Sequence, residues 1–196
     1  DFGGPLDKLV LHRGTSIYLP EGDCHMLPEV LGTDAYSLLA GQTRPALRVL
    51  VHVAADGTLG ECEVSVVQTS LVANLSYVDS QAVLDAQAAG EPLPQNAASP
   101  HAEQLRLGLA LARQRQTARI ADGAVIMDRP DPVIRLEGEG ADVRVDVEQD
   151  YQASDAQMLV AEMMILASAA VAQWAADKGV AMLHRVQDVA LPKEYA

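Results

Sequence analysis

The chain has 196 residues, enough for one large domain or two small ones, and 49% of them are apolar, enough for a sizeable core. Aromatic residues are scarce at 4%, so Leu, Val, Ala and Met must build that core. A net charge of −13 excludes a generic basic coat for nucleic acid, but not a channel whose lining is locally positive.

Residues 1–45 read as mostly loop, broken by Gly3-Gly4, Pro5, Pro20, Gly22, Pro28, Gly32 and Gly41. Residues 47–54 then alternate in part, and Ala55-Asp56-Gly57 separates them from a β-branched run at 62–69. An Asp-Gly turn between such runs predicts a hairpin. Residues 77–89 read as a helix, followed by a polar loop at 90–100 that contains three prolines. Ser99 with Pro100 predicts the capped start of a second helix, running to about residue 118 with Leu105, Leu109 and Ala112 on one face. A short apolar strand is expected at 123–128, stopped by Arg129-Pro130-Asp131-Pro132.

A second hairpin is expected from 133–136 and 143–147 around Glu137-Gly138-Glu139-Gly140. Ser154 with Gln157 has the spacing of a capping box, and Lys178-Gly179 has the order preferred at a helix end, so the longest helix is predicted at 154–178. A final strand is expected to include 182–186. Hairpins and helices in this order favour an α+β fold over an alternating parallel sheet. The longest apolar window, 158–172, is interrupted by Glu162 and reads as too short to cross a bilayer. Nothing at the start reads as a secretory signal.

Cys24 and Cys62 form no C-x-x-C pattern, which suits buried thiols in a reducing cytoplasm. The five histidines show no metal-ligand spacing. Gly138-x-Gly140 joins two predicted strands and opens no helix, so it reads as a turn and not as a dinucleotide fingerprint. Asp146, Glu148 and Asp150 alternate along one strand. Their carboxylates could converge on a metal, or form the solvated face opposite Val145 and Val147, and the second reading is favoured.

Glu162 interrupts an apolar helix face and needs either solvent or a polar partner, so a functional role and a buried structural bond stand side by side. Tyr18 and Tyr77 could stack on a base or serve as ordinary core tyrosines. Arg113, Arg115, Arg119 and Arg129 are candidates for local phosphate contacts. Helix-end charge compensation is the simpler account of at least two of them.

Five segments, taken together and in register, carry a family resemblance. They are Arg13-Gly14-Thr15-Ser16-Ile17-Tyr18-Leu19-Pro20 with Met26-Leu27-Pro28-Glu29; Ser76-Tyr77; Asp128-Arg129-Pro130-Asp131; Leu159 to Ser168; and His184-Arg185-Val186-Gln187. The series resembles the catalytic domain of the ribonuclease II (RNB) family, processive 3′-to-5′ exoribonucleases. The resemblance implies the middle part of an RNB-type domain, α+β, with antiparallel hairpins packed with long helices. It also implies a narrow channel for single-stranded RNA.

Tyr18 matches a tyrosine that clamps the last bases, and Ile126 falls where the opposing phenylalanine stands in relatives. Glu162 matches the second glutamate of the long-helix motif, whose first is Ala161 here, and Ser168 replaces the usual asparagine. Tyr77 and Arg129 complete the expected RNA contacts. The family's D-x-x-D-D cluster and its T-S-P-I-R-R-Y segment have no counterpart in these residues. Mg²⁺ ligands are therefore expected outside the chain, which by itself should not hydrolyse RNA. The expected protein is a cytoplasmic monomer that binds neither DNA nor membrane. The alternative is a catalytically inactive RNB-fold module for RNA binding or scaffolding. An acidic interaction domain sharing only the fold is a third reading.

Overall fold

The computed structural model describes residues 2–126, 131–138, 142–150 and 154–184, with the side chains of 131–133 and 148–150 outside that description. The described residues fall into two units. One is drawn from Asp1–Arg44, Gln68–Asn74 and Arg129–Tyr151, the other from Pro45–Val67, Leu75–Asp128 and Gln152–Ala196.

The first unit opens with a helix, α1 (Pro5–Arg13), where a loop was expected. The signals were present. Pro5 sits at the first turn, the Asp7 carboxylate accepts the Gly3 N–H at 2.8 Å, and Gly14 at φ 72 closes the helix. Strands β1 (Ile17–Leu19) and β2 (Gly22–Cys24) form a short antiparallel hairpin, with Tyr18 opposite Asp23. A single π-helical turn covers Val30–Ala35. Asn74 fastens the segment that follows, its carbonyl accepting the Ala40 N–H at 2.6 Å and its amide donating to the Leu38 carbonyl at 3.1 Å.

Strands β3 (Thr43–Val53) and β4 (Leu59–Ser70) form the hairpin predicted around Asp56-Gly57. Asp56 orders the turn by accepting from the Thr58 N–H at 2.9 Å and the Thr58 hydroxyl at 2.7 Å. Those bonds lower its pKa. The turn's pH-dependent support is therefore complete above the ordinary carboxylate range and is lost as pH falls through the lowered value.

In the second unit, α2 (Tyr77–Ala89) begins at a Ser76 cap, whose hydroxyl accepts the Asp79 N–H at 3.0 Å, and ends at left-handed Gly90. The next helix differs from expectation. A 3-10 turn at Ser99–His101 precedes α3 (Ala102–Ala121), and Ser99 is not its cap. Asn96 orders the turn before it, its side-chain oxygen accepting the Ala98 and Ser99 N–H groups at 3.0 and 3.1 Å. The Ser99 hydroxyl donates back to the Pro94 carbonyl and to Asn96, so it is not available as an acceptor at the start of α3, which has no side-chain cap. Residues 123–126 are no strand, because the Ala124 N–H turns back to the Arg119 carbonyl at 2.9 Å and ends the helix.

The second predicted hairpin forms as β5 (Asp131–Glu137) and β6 (Arg144–Asp150), antiparallel, with Gly138 in its connection. The long helix α4 (Asp155–Lys178) has both halves of its capping box. The Ser154 hydroxyl accepts the Gln157 N–H at 3.2 Å, the Gln157 side chain accepts the Ser154 N–H at 2.8 Å, and left-handed Gly179 follows. Its 24 residues are long and apolar enough, by length and composition, to cross a membrane, which corrects the reading of that window as too short. Residues 182–184 are not in a strand, and 185–186 lie outside the described residues.

Helices α2, α3 and α4 pack together. Val83, Ala98 and Ala102 form one buried cluster, and Leu84, Leu109 and Ala156 form another, with Leu105 against both. Gly108 lets α3 approach α4 closely, since a Cβ there would lie 3.2 Å from Leu159 Cδ1. The end of α3 also grips the tip of the β3–β4 hairpin. Gln114 donates to the Ala55 carbonyl and Arg115 to the Gly57 carbonyl. Gly57 has φ +85, and a Cβ there would meet Ala118 at 3.2 Å. Gly57→Ala is therefore expected to cost about 1–2 kcal/mol in urea unfolding, from the left-handed backbone alone. Unchanged stability would mean that the turn can adopt a backbone without the positive φ at this position.

Candidate RNA-contact residues

In the first unit, the β1–β2 hairpin carries Tyr18 at its centre, 72% exposed. Arg13 braces the hairpin, donating to the His25 carbonyl at 2.7 Å, and the Met26 N–H donates to the Ser16 hydroxyl at 2.9 Å. A shallow cavity of about 520 Å³ lies against Arg13, Ile17, Cys24, His25 and Pro28. Tyr18 itself does not line that cavity, although its cross-strand partner Asp23 does. A three-residue strand cannot bury an aromatic ring on its own, and among the described residues this one stays largely uncovered. An exposed, braced ring can stack on a base.

In the second unit, Tyr77 is the first residue of α2 and half-exposed. Ile126, 48% exposed, follows the turn that ends α3 and is not enclosed by the Leu105 and Leu109 face. Arg129 lies outside the described residues.

Glu162 is 3% exposed, and both its oxygens are taken by Arg119, at 3.1 Å from Nε and by a second bond from Nη2. Of the two readings left open for this carboxylate, the structural bond is the one with an observed partner. The other arginines are also engaged. Arg113 pairs with Asp155 at 2.8 Å, and Arg115, buried, holds the hairpin tip. Arg113 remains on a solvated face, its side chain 60% exposed, and Arg119 lies in the last turn of α3. Each ties α3 to another element, and none of the three presents an unengaged guanidinium.

The carboxylate ladder is placed only in part. Asp146 is exposed and stands opposite Arg135, whereas the side chains of Glu148 and Asp150 lie outside the described residues. Val145 and Val147 are exposed as well, so among the described residues β6, in a two-stranded sheet, is not the half-buried strand expected. Among the described residues, no group of three or more His, Cys, Asp or Glu side chains is arranged to hold a metal ion. Cys24 is exposed and Cys62 half-buried, which corrects the expectation of two buried thiols.

Arg119 as the partner of Glu162 was missed in the sequence. A signal for it existed: a carboxylate within an apolar face requires a cation, and α3 carries arginines at helical spacing.

A family model described as the RNB domain matches residues 1–196. Exoribonuclease 2 of Pectobacterium atrosepticum is 34% identical over 180 residues, covering 91% of this chain and 27% of that protein. The exosome complex exonuclease dis3 of Schizosaccharomyces pombe is 30% identical over 168 residues, covering 86% of this chain and 16% of dis3. Among solved structures, Mycoplasma genitalium RNase R in complex with ribose-methylated single-stranded RNA superposes with a TM-score of 0.74 at 18% identity. The match covers 90% of this chain and 26% of that one. The Dss1 exoribonuclease of Candida glabrata, an active-site mutant, gives a TM-score of 0.73 at 19% identity, covering 90% and 24%. The solved structures support the α+β fold. The chain spans about a quarter or less of the length of these proteins.

Proposed function

The chain belongs to the RNB-domain family, and on that premise we propose that it is part of a hydrolytic, processive 3′-to-5′ exoribonuclease. The substrate is single-stranded RNA and the products are nucleoside 5′-monophosphates. The observation that carries the reading is the open ring of Tyr18 on a braced hairpin, at the position where the family resemblance expects a base-stacking tyrosine. Tyr18 stacks on a base near the 3′ end, Ile126 presses on a base with an aliphatic side chain, and Tyr77 adds its ring or hydroxyl. Stacking is tolerant of sequence, because every base has a π-face, and that suits an enzyme that must advance along any RNA.

The strongly acidic balance is compatible with this division of labour. Arg115 and Arg119 are buried or partly buried and held by protein partners, so in this reading stacking at Tyr18 counts for more than phosphate neutralisation by these two.

Hydrolysis calls for a divalent metal, here Mg²⁺, which when bound would activate water and steady the leaving 3′-oxygen. Among the described residues no group of three such side chains is arranged to hold it, so no step through the metal is assigned to them; this reading expects its ligands outside the chain. Two unpaired cysteines support a reducing, cytoplasmic setting. We propose a monomer that acts on RNA, with neither DNA nor a membrane as partner. Within it, α4 is a domain helix, pinned to α3 by Arg119–Glu162.

The test at this level is activity of the chain by itself. The purified 196-residue chain should leave a 5′-labelled oligo(A) intact in Mg²⁺. Metal-dependent release of mononucleotides would place the metal ligands within it, with Asp146, Glu148 and Asp150 as the first to substitute.

A further inference from the structure

We propose that Arg119 is a positioning residue for the RNA contact at Ile126, held in place by Glu162 of α4. The proposal rests on the reading of Ile126 as an RNA contact and adds a cause for where that side chain stands.

Arg119 is joined to its surroundings at both ends. Its guanidinium donates to both oxygens of Glu162, and its carbonyl accepts the Ala124 N–H at 2.9 Å. The chain leaves α3 through that second bond, through the Asp122 N–H to the Ala118 carbonyl at 3.0 Å, and through Gly123 at φ 96. Two residues beyond Ala124 it reaches Ile126. One residue thus carries both the ion pair that fixes the last turn of α3 on α4 and the backbone bond that sets the exit direction.

The same stretch is held from another side. Gln114 and Arg115 bind the tip of the β3–β4 hairpin, and Ala118 closes on Gly57. Gln114, Arg115, Ala118 and Arg119 near one helix end are therefore all engaged, while the residues just after it carry an exposed aliphatic side chain.

Stability alone does not account for burying this pair. Desolvating a carboxylate within an apolar face offsets much of what the pair gains, and a well-packed apolar substitute would serve as well. A planar guanidinium bonded to both carboxylate oxygens does something an apolar contact does not, because it fixes orientation as well as distance. A contact side chain on a segment just after a helix needs that orientation, since a small loosening of the support weakens the contact.

The experiment uses the complete protein and measures binding of a short oligoadenylate, with melting temperature in parallel. Ile126→Ala should weaken binding by about three- to tenfold, an aliphatic contact falling at or below the low end of base stacking. Arg119→Lys keeps the charge but loses the two-pronged geometry. Glu162→Gln keeps the shape and an acceptor for Arg119, and stands in if the lysine variant does not fold. Each should weaken binding about threefold or more, and neither should add to the loss in an Ile126→Ala background, because both act through that side chain.

Additive losses would overturn the proposal, since Arg119 would then act elsewhere. So would full affinity in Arg119→Lys and Glu162→Gln while Ile126→Ala is impaired. Full affinity in Ile126→Ala would overturn the contact itself, which separates failure of the underlying reading from failure of the positioning role.

Discussion

Arg119→Ala is expected to lower the stability of the chain by about 3–5 kcal/mol, the cost of stranding one member of a buried ion pair. Glu162 is almost fully enclosed in the helix interface, so without Arg119 it has neither protein partner nor water. Glu162→Ala should cost less, about 3 kcal/mol or below, because the Arg119 side chain is 23% exposed and can turn its charge to solvent. For a chain of this size the larger effect corresponds to a fall in melting temperature of roughly 10 °C. Replacing both at once by Met and Leu should recover most of the loss. Urea unfolding of the three variants checks the order. Equal and small effects for both single variants would mean that water reaches the pair.

Tyr18→Ala is expected to leave melting within a few degrees of the parent, since an exposed ring leaves no cavity when truncated. In the complete protein it should cost about 1–3 kcal/mol of binding to short RNA and change the length of the smallest limit product. The salt dependence of binding should stay the same, because stacking releases no counterions. A strongly lowered melting temperature with unchanged products would assign Tyr18 to the core and remove it from the RNA path.

The elements that were legible in the sequence are those fixed by neighbours along the chain. Ser154 with Gln157, Lys178-Gly179 and Ser76 delimit α4 and α2 because a cap is a bond across three or four residues. Asp56-Gly57 gave the β3–β4 hairpin for the same reason. Where two local solutions compete, sequence did not decide between them. The Ser99 hydroxyl donates back to the Pro94 carbonyl and the Asn96 side chain instead of capping α3, and the backbone bond from Ala124 to Arg119 replaces a strand with a helix-ending turn. Helix α1 was overlooked because Pro5 was counted as a breaker, although at a helix's first turn it marks the start, as Gly14 marks the end.

The roles of the arginines could not be read in advance. Arg115 meets Gly57 from 58 residues away, and Arg119 meets Glu162 from 43. No local pattern encodes such a pairing, only the requirement that a buried carboxylate find a cation. The site divides in the same way. Spacing and composition single out Tyr18 and Ile126 only as an exposed-looking aromatic and an apolar residue. Their expected contact with RNA came from the family resemblance, and the structure adds that both side chains stand open to solvent.

The most direct measurement is the fate of a 5′-labelled single-stranded RNA incubated with the complete protein and Mg²⁺. The account predicts that full-length RNA gives way to one short end product, with nucleoside 5′-monophosphates released from the 3′ end and few intermediates. Internal cleavage, trimming from the 5′ end, or RNA bound but left intact would contradict it, the last pointing to an RNB fold kept for binding alone.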